Sequence, residues 1–175
     1  MTGRTSIALL ATAAIAVSGC GGGGGKDKGG GGGGQSVQGV TLPPEASDLN
    51  VKPVIPKPKG PPPGGLQVRD VVSGKGKVAE TGDKLTVQYV GVAWSTGKQF
   101  DSSWDRGREP FKFELGAGMV IPGWDQGLVG MKVGGRRELV IPPDLAYGPQ
   151  GQPPAIGPSE TLVFVIDLKK AQKAS

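Results

Sequence analysis

Few side chains in this 175-residue chain could carry out acid–base or covalent chemistry, since it has no histidine and only one cysteine, Cys20. A Ser-His-Asp triad, a Cys-His pair and a histidine-ligated metal site are excluded, because each needs an imidazole. A disulfide within the chain is excluded as well. If the protein is an enzyme, it must work with carboxylates, Lys or Tyr, or accelerate a reaction that needs no acid–base chemistry.

Cys20 ends an apolar segment near the start of the sequence. Arg4 supplies a short positive region, and an apolar run from Ile7 to Val17 follows it. This run is too short for a membrane span, which needs about 20 apolar residues, but it suits the core of a signal peptide. Its end, VSGC, resembles the bacterial lipobox, which implies cleavage just before Cys20 and a lipid on the cysteine sulfur. The alternative is a free cysteine in an ordinary export signal.

Lipidation at Cys20 would anchor the protein outside the cytoplasm, on the cell membrane or the outer membrane of a bacterium. Residues 1–19 are then a signal peptide and residues 20–64 a tether. Glycine dominates residues 21–34, a composition typical of a random coil that spans roughly 20 Å. Residues 42–65 are rich in proline, which predicts a stiffer, extended spacer. The whole tether is predicted to be disordered, and proline-mediated binding to an aromatic groove is the alternative.

The charge pattern limits the possible partners. The formal net charge is +5, and the Lys and Arg residues are scattered through the chain. No basic stripe is interleaved with aromatic residues, so nucleic acid is not an expected partner. A weak attraction to anionic lipid headgroups is compatible with this charge.

Residues 65–175 have the size of one domain and are predicted to be mainly β-structure. Alternating apolar residues and Gly, Pro and Asp turns favour an antiparallel sheet. The predicted strands are KLTVQYVGVA (84–93), PFKFEL (110–115), RRELVI (136–141) and TLVFVIDLK (161–169), with residues 67–72 a further candidate.

One short helix is predicted from Pro122 to Val129. Pro122 suits the first helical position, Asp125 lies in the first turn, and Gly130 follows the end. An antiparallel sheet with one helix laid against its apolar face gives a two-layer α+β core.

Several spaced blocks of this domain, KQFDSS, VIPGW, PDLAYG and TLVF, resemble the FKBP family of peptidyl-prolyl cis–trans isomerases. The resemblance extends from about Gly65 to Lys170. It implies a half-barrel antiparallel sheet wrapped around the single helix, with an apolar pocket between them. It also implies rotation of X–Pro bonds without a cofactor or a metal, and makes binding of macrolide inhibitors plausible.

The resemblance also assigns roles to individual residues. Trp124 corresponds to the pocket floor, Asp101 to a carboxylate beside the bound carbonyl, and Tyr147 to a hydrogen-bond donor to the substrate. The catalytic assignments are Asp101, Tyr147, Trp124 and Phe100. The substrate-binding assignments are Tyr89, Phe111, Val120, Ile121, Ile156, Phe164 and Arg106.

Taken singly, these residues have ordinary structural explanations. An aromatic residue that alternates along a strand is usually part of a core, and Asp101 with Arg106 could be a loop ion pair. Only the joint pattern favours a pocket. Gln152 stands where many family members have histidine, which bears on substrate preference. Trp104 is an additional aromatic that either extends the edge of the pocket or caps its loop.

The expected function is that of a monomeric, membrane-tethered isomerase that speeds proline-limited folding of exported proteins. One alternative is a chaperone-like lipoprotein of the same fold that holds proline-containing segments without turnover. Another is a lipoprotein that presents an inert domain at the surface. The intact aromatic set, together with Asp101 and Tyr147, favours the isomerase.

Overall fold

The computed structural model describes residues 37–174, so the predicted signal peptide, Cys20 and the glycine-rich part of the tether lie outside the described residues. Six strands form one antiparallel sheet in the order β1-β5-β6-β2-β3, and β4 also pairs with β2. The strands are β1 (Gln67–Val72), β2 (Asp83–Ala93), β3 (Gln99–Ser102), β4 (Phe111–Glu114), β5 (Arg136–Ile141) and β6 (Leu162–Lys173).

The described residues contain one α-helix, α1, at Pro122–Gly127, and short 3-10 helices at Pro44–Ser47, Pro143–Leu145 and Gly148–Gln150. The predicted α+β architecture, an antiparallel sheet with one short helix, is confirmed. Strand β3 was not predicted, because Gln99–Ser102 lacks a clear apolar alternation. Within residues 37–174 no helix has the length and apolar character that crossing a membrane requires.

Helix α1 packs on one face of the sheet, which we call the front face. The front face carries Leu85, Val87 and Tyr89 of β2 and the alternating apolar residues of β6. A Cβ atom on Gly123 would lie 2.3 Å from Ile141 Cγ2, and one on Gly127 would lie 2.7 Å from Leu139 Cδ2. These glycines therefore allow α1 to approach β5 closely.

The opposite face of the sheet, the back face, is also apolar in its central strands. It is covered by residues 37–64, which we call the arm, through the buried side chains of Val37, Val40 and Ile55. Trp94 joins this contact, since its Nε1 donates a hydrogen bond to the carbonyl of Gly60 at 3.2 Å. The strand residues of the back-face cluster are Val90, Val92, Val140, Val163 and Val165.

Arg136 fastens the arm to the back face. Its side chain is fully buried and donates two hydrogen bonds to Asp167, at 2.5 and 2.8 Å. The remaining donors reach the carbonyl oxygens of Ala46, Asp48 and Val51 at 2.8, 3.0 and 3.1 Å. All five guanidinium N–H groups are thus used, which offsets the cost of burying the charge.

The structure corrects the predicted extent of the tether. Residues 37–64 are not a disordered spacer but part of the same compact unit as the sheet. The proline-rich composition misled the prediction, because Ile55 and three of the prolines, Pro53, Pro58 and Pro63, are themselves buried. That burial offsets the entropy lost when the arm becomes ordered.

Replacing Arg136 by methionine is expected to lower the free energy of unfolding by about 3–5 kcal/mol. Asp167 would stay buried without its partner, and three arm carbonyls would lose their donor. Urea denaturation followed by circular dichroism measures the loss. The matched control is Lys169→Met, which removes an exposed charge from the same sheet and should cost less than about 0.5 kcal/mol. Equal losses in the two variants would contradict the fastening role.

Candidate active site

A cavity of about 250 Å³ opens between the front face of the sheet and α1. Strands β2, β3, β4 and β6 supply walls of the cavity, and the start of α1 supplies its floor. Its wall residues are Tyr89, Phe100, Asp101, Phe111, Met119, Val120, Ile121, Trp124, Tyr147 and Phe164. Most of these side chains are apolar or aromatic, which is typical of a preformed ligand pocket.

Trp124 is the centre of the aromatic packing. Its ring centroid lies 5.2 Å from that of Tyr89 and 5.2 Å from that of Phe164, both in edge-to-face geometry, an arrangement that aromatic pairs prefer. The side chain is only 4% exposed. Its Nε1 donor is buried and has no hydrogen-bond partner within residues 37–174.

Three polar residues form a network at the edge of the cavity. The hydroxyl of Tyr89 donates a hydrogen bond to Asp101 Oδ2 at 2.5 Å. Arg106 donates from Nη2 to the Tyr89 hydroxyl at 2.8 Å and from Nη1 to Asp101 Oδ1. The guanidinium carbon of Arg106 also lies 5.7 Å from the centroid of the Tyr89 ring. The network fixes the Asp101 carboxylate beside an otherwise apolar space.

The surroundings keep both cavity tyrosines protonated. Burial, followed by the hydrogen bond to Asp101, raises the pKa of Tyr89 to about 12. Burial, with a smaller contribution from the charge of Asp101, also raises the pKa of Tyr147. The hydrogen bond to Tyr89 raises the pKa of Arg106 further. At neutral pH both tyrosine side chains of the cavity therefore carry their phenol protons.

The structure brings nearly all the predicted site residues together. Every predicted residue except Arg106 and Ile156 lines the cavity. Arg106 reaches its edge through the network described above. Ile156 is 3% exposed and lines a neighbouring recess of about 330 Å³, which shares Phe100, Asp101 and Tyr147 with the cavity.

The sequence did not predict one side chain of the cavity and left the position of another open. Met119 lines the cavity and is 64% exposed, yet a single methionine in a glycine-rich turn gives no sequence signal for a site. Trp104, for which two positions were open, packs against the back-face cluster. It therefore does not line the cavity.

The fold is an open antiparallel sheet with one short helix and an aromatic cavity between them. The model of the family described as FKBP-type peptidyl-prolyl cis-trans isomerase matches residues 75–169, more than half of the chain. The chain belongs to this family and is a peptidyl-prolyl cis–trans isomerase.

Individual relatives agree with this assignment. An FK506-binding protein of Streptomyces anulatus is 57% identical over 118 residues, which cover 67% of this chain and 94% of that protein. The peptidyl-prolyl cis-trans isomerase FPR2 of Saccharomyces cerevisiae is 50% identical over 97 residues, 55% of this chain and 71% of that one. The crystal structure of AtFKBP13 matches with a TM-score of 0.57 and 41% identity, over 65% of this chain and 96% of that one.

The phenols of the folded protein are expected to resist ionisation at pH 10. In a Tyr147→Phe variant, only Tyr89 remains, and its phenolate absorbance should rise with a midpoint near pH 12. In denaturant the midpoint should fall to about 10. Because the folded pKa is raised, the associated stability is fully present below about pH 10 and is lost as pH rises toward 12. A midpoint near pH 10 with an intact near-UV circular dichroism spectrum would show that Tyr89 is not held as described.

Proposed function

We propose that the cavity binds a proline-containing segment of an exported polypeptide and accelerates rotation about its X–Pro bond without covalent catalysis. The observation that carries the proposal is the aromatic cavity itself, with Trp124 at its floor and Asp101 and Tyr147 at its edge. A proline ring is a compact apolar group that matches such a floor, and the polar edge residues can position the preceding carbonyl.

The chemistry needs little more than this environment. Amide resonance sets a barrier of about 18–20 kcal/mol to rotation, so uncatalysed X–Pro interconversion takes tens to hundreds of seconds. The twisted amide has less charge separation than the planar one, so an apolar cavity favours the twisted form. Interactions that fit the twisted form better lower the barrier further, and about 1.4 kcal/mol gives a tenfold rate increase.

The polar residues take complementary roles in this proposal. Tyr147 stays neutral, because burial raises its pKa, and its hydroxyl donates a hydrogen bond to the substrate. Asp101 is held in place by Tyr89 and Arg106 and supplies a fixed negative group beside the bound carbonyl. Phe100 and the other aromatic side chains keep water away from the rotating bond.

Substitution of Asp101 by alanine is expected to lower kcat/KM at least about tenfold, because Tyr89 and Arg106 lose the charged acceptor that holds them at the cavity edge and such a hydrogen bond is worth about 1.5–3 kcal/mol. Trp124→Ala should lower it further, because the floor is lost. A protease-coupled cis-to-trans assay on X–Pro tetrapeptides, with the full chain in detergent, measures both. The control is Val129→Ala, an exposed residue just past α1, which should retain wild-type activity.

Two outcomes of this assay would overturn the proposal. A folded wild-type chain without acceleration over background would favour the non-catalytic binding lipoprotein of the same fold. Full activity in a folded Asp101→Ala and Trp124→Ala double variant would place the reaction elsewhere in the molecule.

We also propose that a macrolide of the FK506 type occupies the same cavity. The relative from Streptomyces anulatus that is 57% identical bears the name FK506-binding protein, and the cavity is mainly aromatic. FK506 is therefore expected to inhibit the tetrapeptide assay competitively.

The chain is proposed to act as a monomer. Sedimentation velocity of the Cys20→Ser variant, measured without detergent, would test this.

For localisation, we propose that Cys20 is lipidated and anchors the isomerase on the extracytoplasmic side of a bacterial membrane. The support is the order of the segments: Arg4, the apolar run of residues 7–17, and then VSGC. Several acyl chains on one residue give stable anchoring, whereas a single chain gives only marginal binding.

Metabolic labelling with radioactive palmitate in a bacterial host is expected to label the wild-type chain and leave Cys20→Ala unlabelled. Mass spectrometry of the mature protein should find Cys20 as the first residue, carrying a diacylglycerol. A mature N-terminus at another residue, with a free thiol on Cys20, would contradict lipidation and leave the isomerase proposal intact.

A further inference from the structure

We propose that the arm positions the active site, with Lys52 acting as a positioning residue through Asp105 on the loop that carries Arg106. The inference rests on the proposed role of the cavity. The inference goes beyond that role, because the arm lies outside residues 75–169, the part of the chain that the family model matches. Residues 103–110, between β3 and β4, are called the Arg106 loop below.

The Arg106 loop is held to the sheet at its two ends. At the first end, Ser103 Oγ donates a hydrogen bond to Gln88 Oε1 at 2.5 Å. At the other end, Gln88 Nε2 donates to the carbonyl of Arg108 at 2.6 Å. One side chain of β2 therefore fixes both ends, but neither contact fixes the side chains in the middle of the loop.

The arm contacts the middle of the loop. Lys52 Nζ lies 2.7 Å from both carboxylate oxygens of Asp105, and Gln99 Nε2 donates to Asp105 Oδ2 at 2.7 Å. Trp104, the preceding residue, packs against the back-face cluster that includes Val37, Val40 and Ile55 of the arm. The arm thus holds Asp105 by an ion pair, and the neighbouring Trp104 packs against the cluster to which the arm contributes.

The next residue along the loop is Arg106, which enters the active site. Its guanidinium donates to the Tyr89 hydroxyl and to Asp101, so a shift of the loop would displace the donors that hold the Asp101 carboxylate. Asp105 and Arg106 are adjacent in the chain, so one peptide unit links the Lys52–Asp105 contact to the substrate-binding edge. A displacement of about 1 Å at that edge can reduce the rate strongly. The hydrogen bond from Lys52 lowers the pKa of Asp105.

The decisive comparison is between two lysines of the arm. Lys52→Ala is expected to lower kcat/KM for an X–Pro tetrapeptide by about two- to fivefold, the range that an exposed ion pair supports. Lys59→Ala is the matched control, since Lys59 lies on the same arm, is exposed, and makes no ion pair within residues 37–174. Both variants are measured as full chains in detergent, well below their melting temperatures.

Three further readouts separate positioning from general stability. Lys52→Arg should restore the rate, and so should the charge exchange Lys52→Asp with Asp105→Lys. Added salt should lower kcat/KM of the wild type more than that of Lys52→Ala, because exposed ion pairs are screened and the variant lacks the Lys52–Asp105 pair. The side-chain NMR signals of Arg106 should shift in Lys52→Ala and not in Lys59→Ala.

Two results would overturn the inference. One is a wild-type kcat/KM in Lys52→Ala, even if its melting temperature falls; the other is an equal loss of rate in Lys59→Ala. An inactive wild-type chain would instead refute the proposed isomerase cavity, so the two failures are distinguishable.

Discussion

The central strands of the sheet are buried on both faces, and the rest of the structure depends on this constraint. Antiparallel sheets commonly leave one face in water, but here β2 and β6 carry apolar side chains toward both sides. Helix α1 covers part of the front face, and among residues 37–174 the arm covers the back face. The buried Arg136, with all five donors used by Asp167 and three arm carbonyls, makes this cover specific.

The front face provides the cavity because α1 comes close to β5 and covers only part of the sheet. Glycine at positions 123 and 127 permits that approach, which brings Trp124 into contact with aromatic residues of β2 and β6. The cavity has apolar walls and a polar edge, and its tyrosines stay protonated. Such a site suits a reaction in which a bond rotates and none is broken, in agreement with a chain that has no histidine.

The sequence was sufficient to predict the strands in which apolar residues alternate with polar ones and the helix with clear end signals. Strands β2, β4 and β6 lie, to within a few residues at their ends, where alternation predicts them, and the helix begins at Pro122 as predicted. The aromatic wall residues were found through their family blocks, but the contacts among Tyr89, Asp101 and Arg106 depend on a loop conformation that no period encodes. The arm was predicted to be disordered, because its buried residues have no regular spacing. The valines of β2 and β6 on the back face, however, need a segment that shields them from water.

The most direct test of the account is NMR exchange spectroscopy of an X–Pro peptide mixed with the full chain, with the indole signals of Trp94, Trp104 and Trp124 assigned. The account predicts cis–trans exchange peaks for the peptide and a shift of the Trp124 signal alone among the three. Trp94 and Trp104 belong to the back-face packing and should not respond. Absence of exchange peaks, or a response of Trp94 or Trp104 with Trp124 unchanged, would contradict catalysis in the front-face cavity.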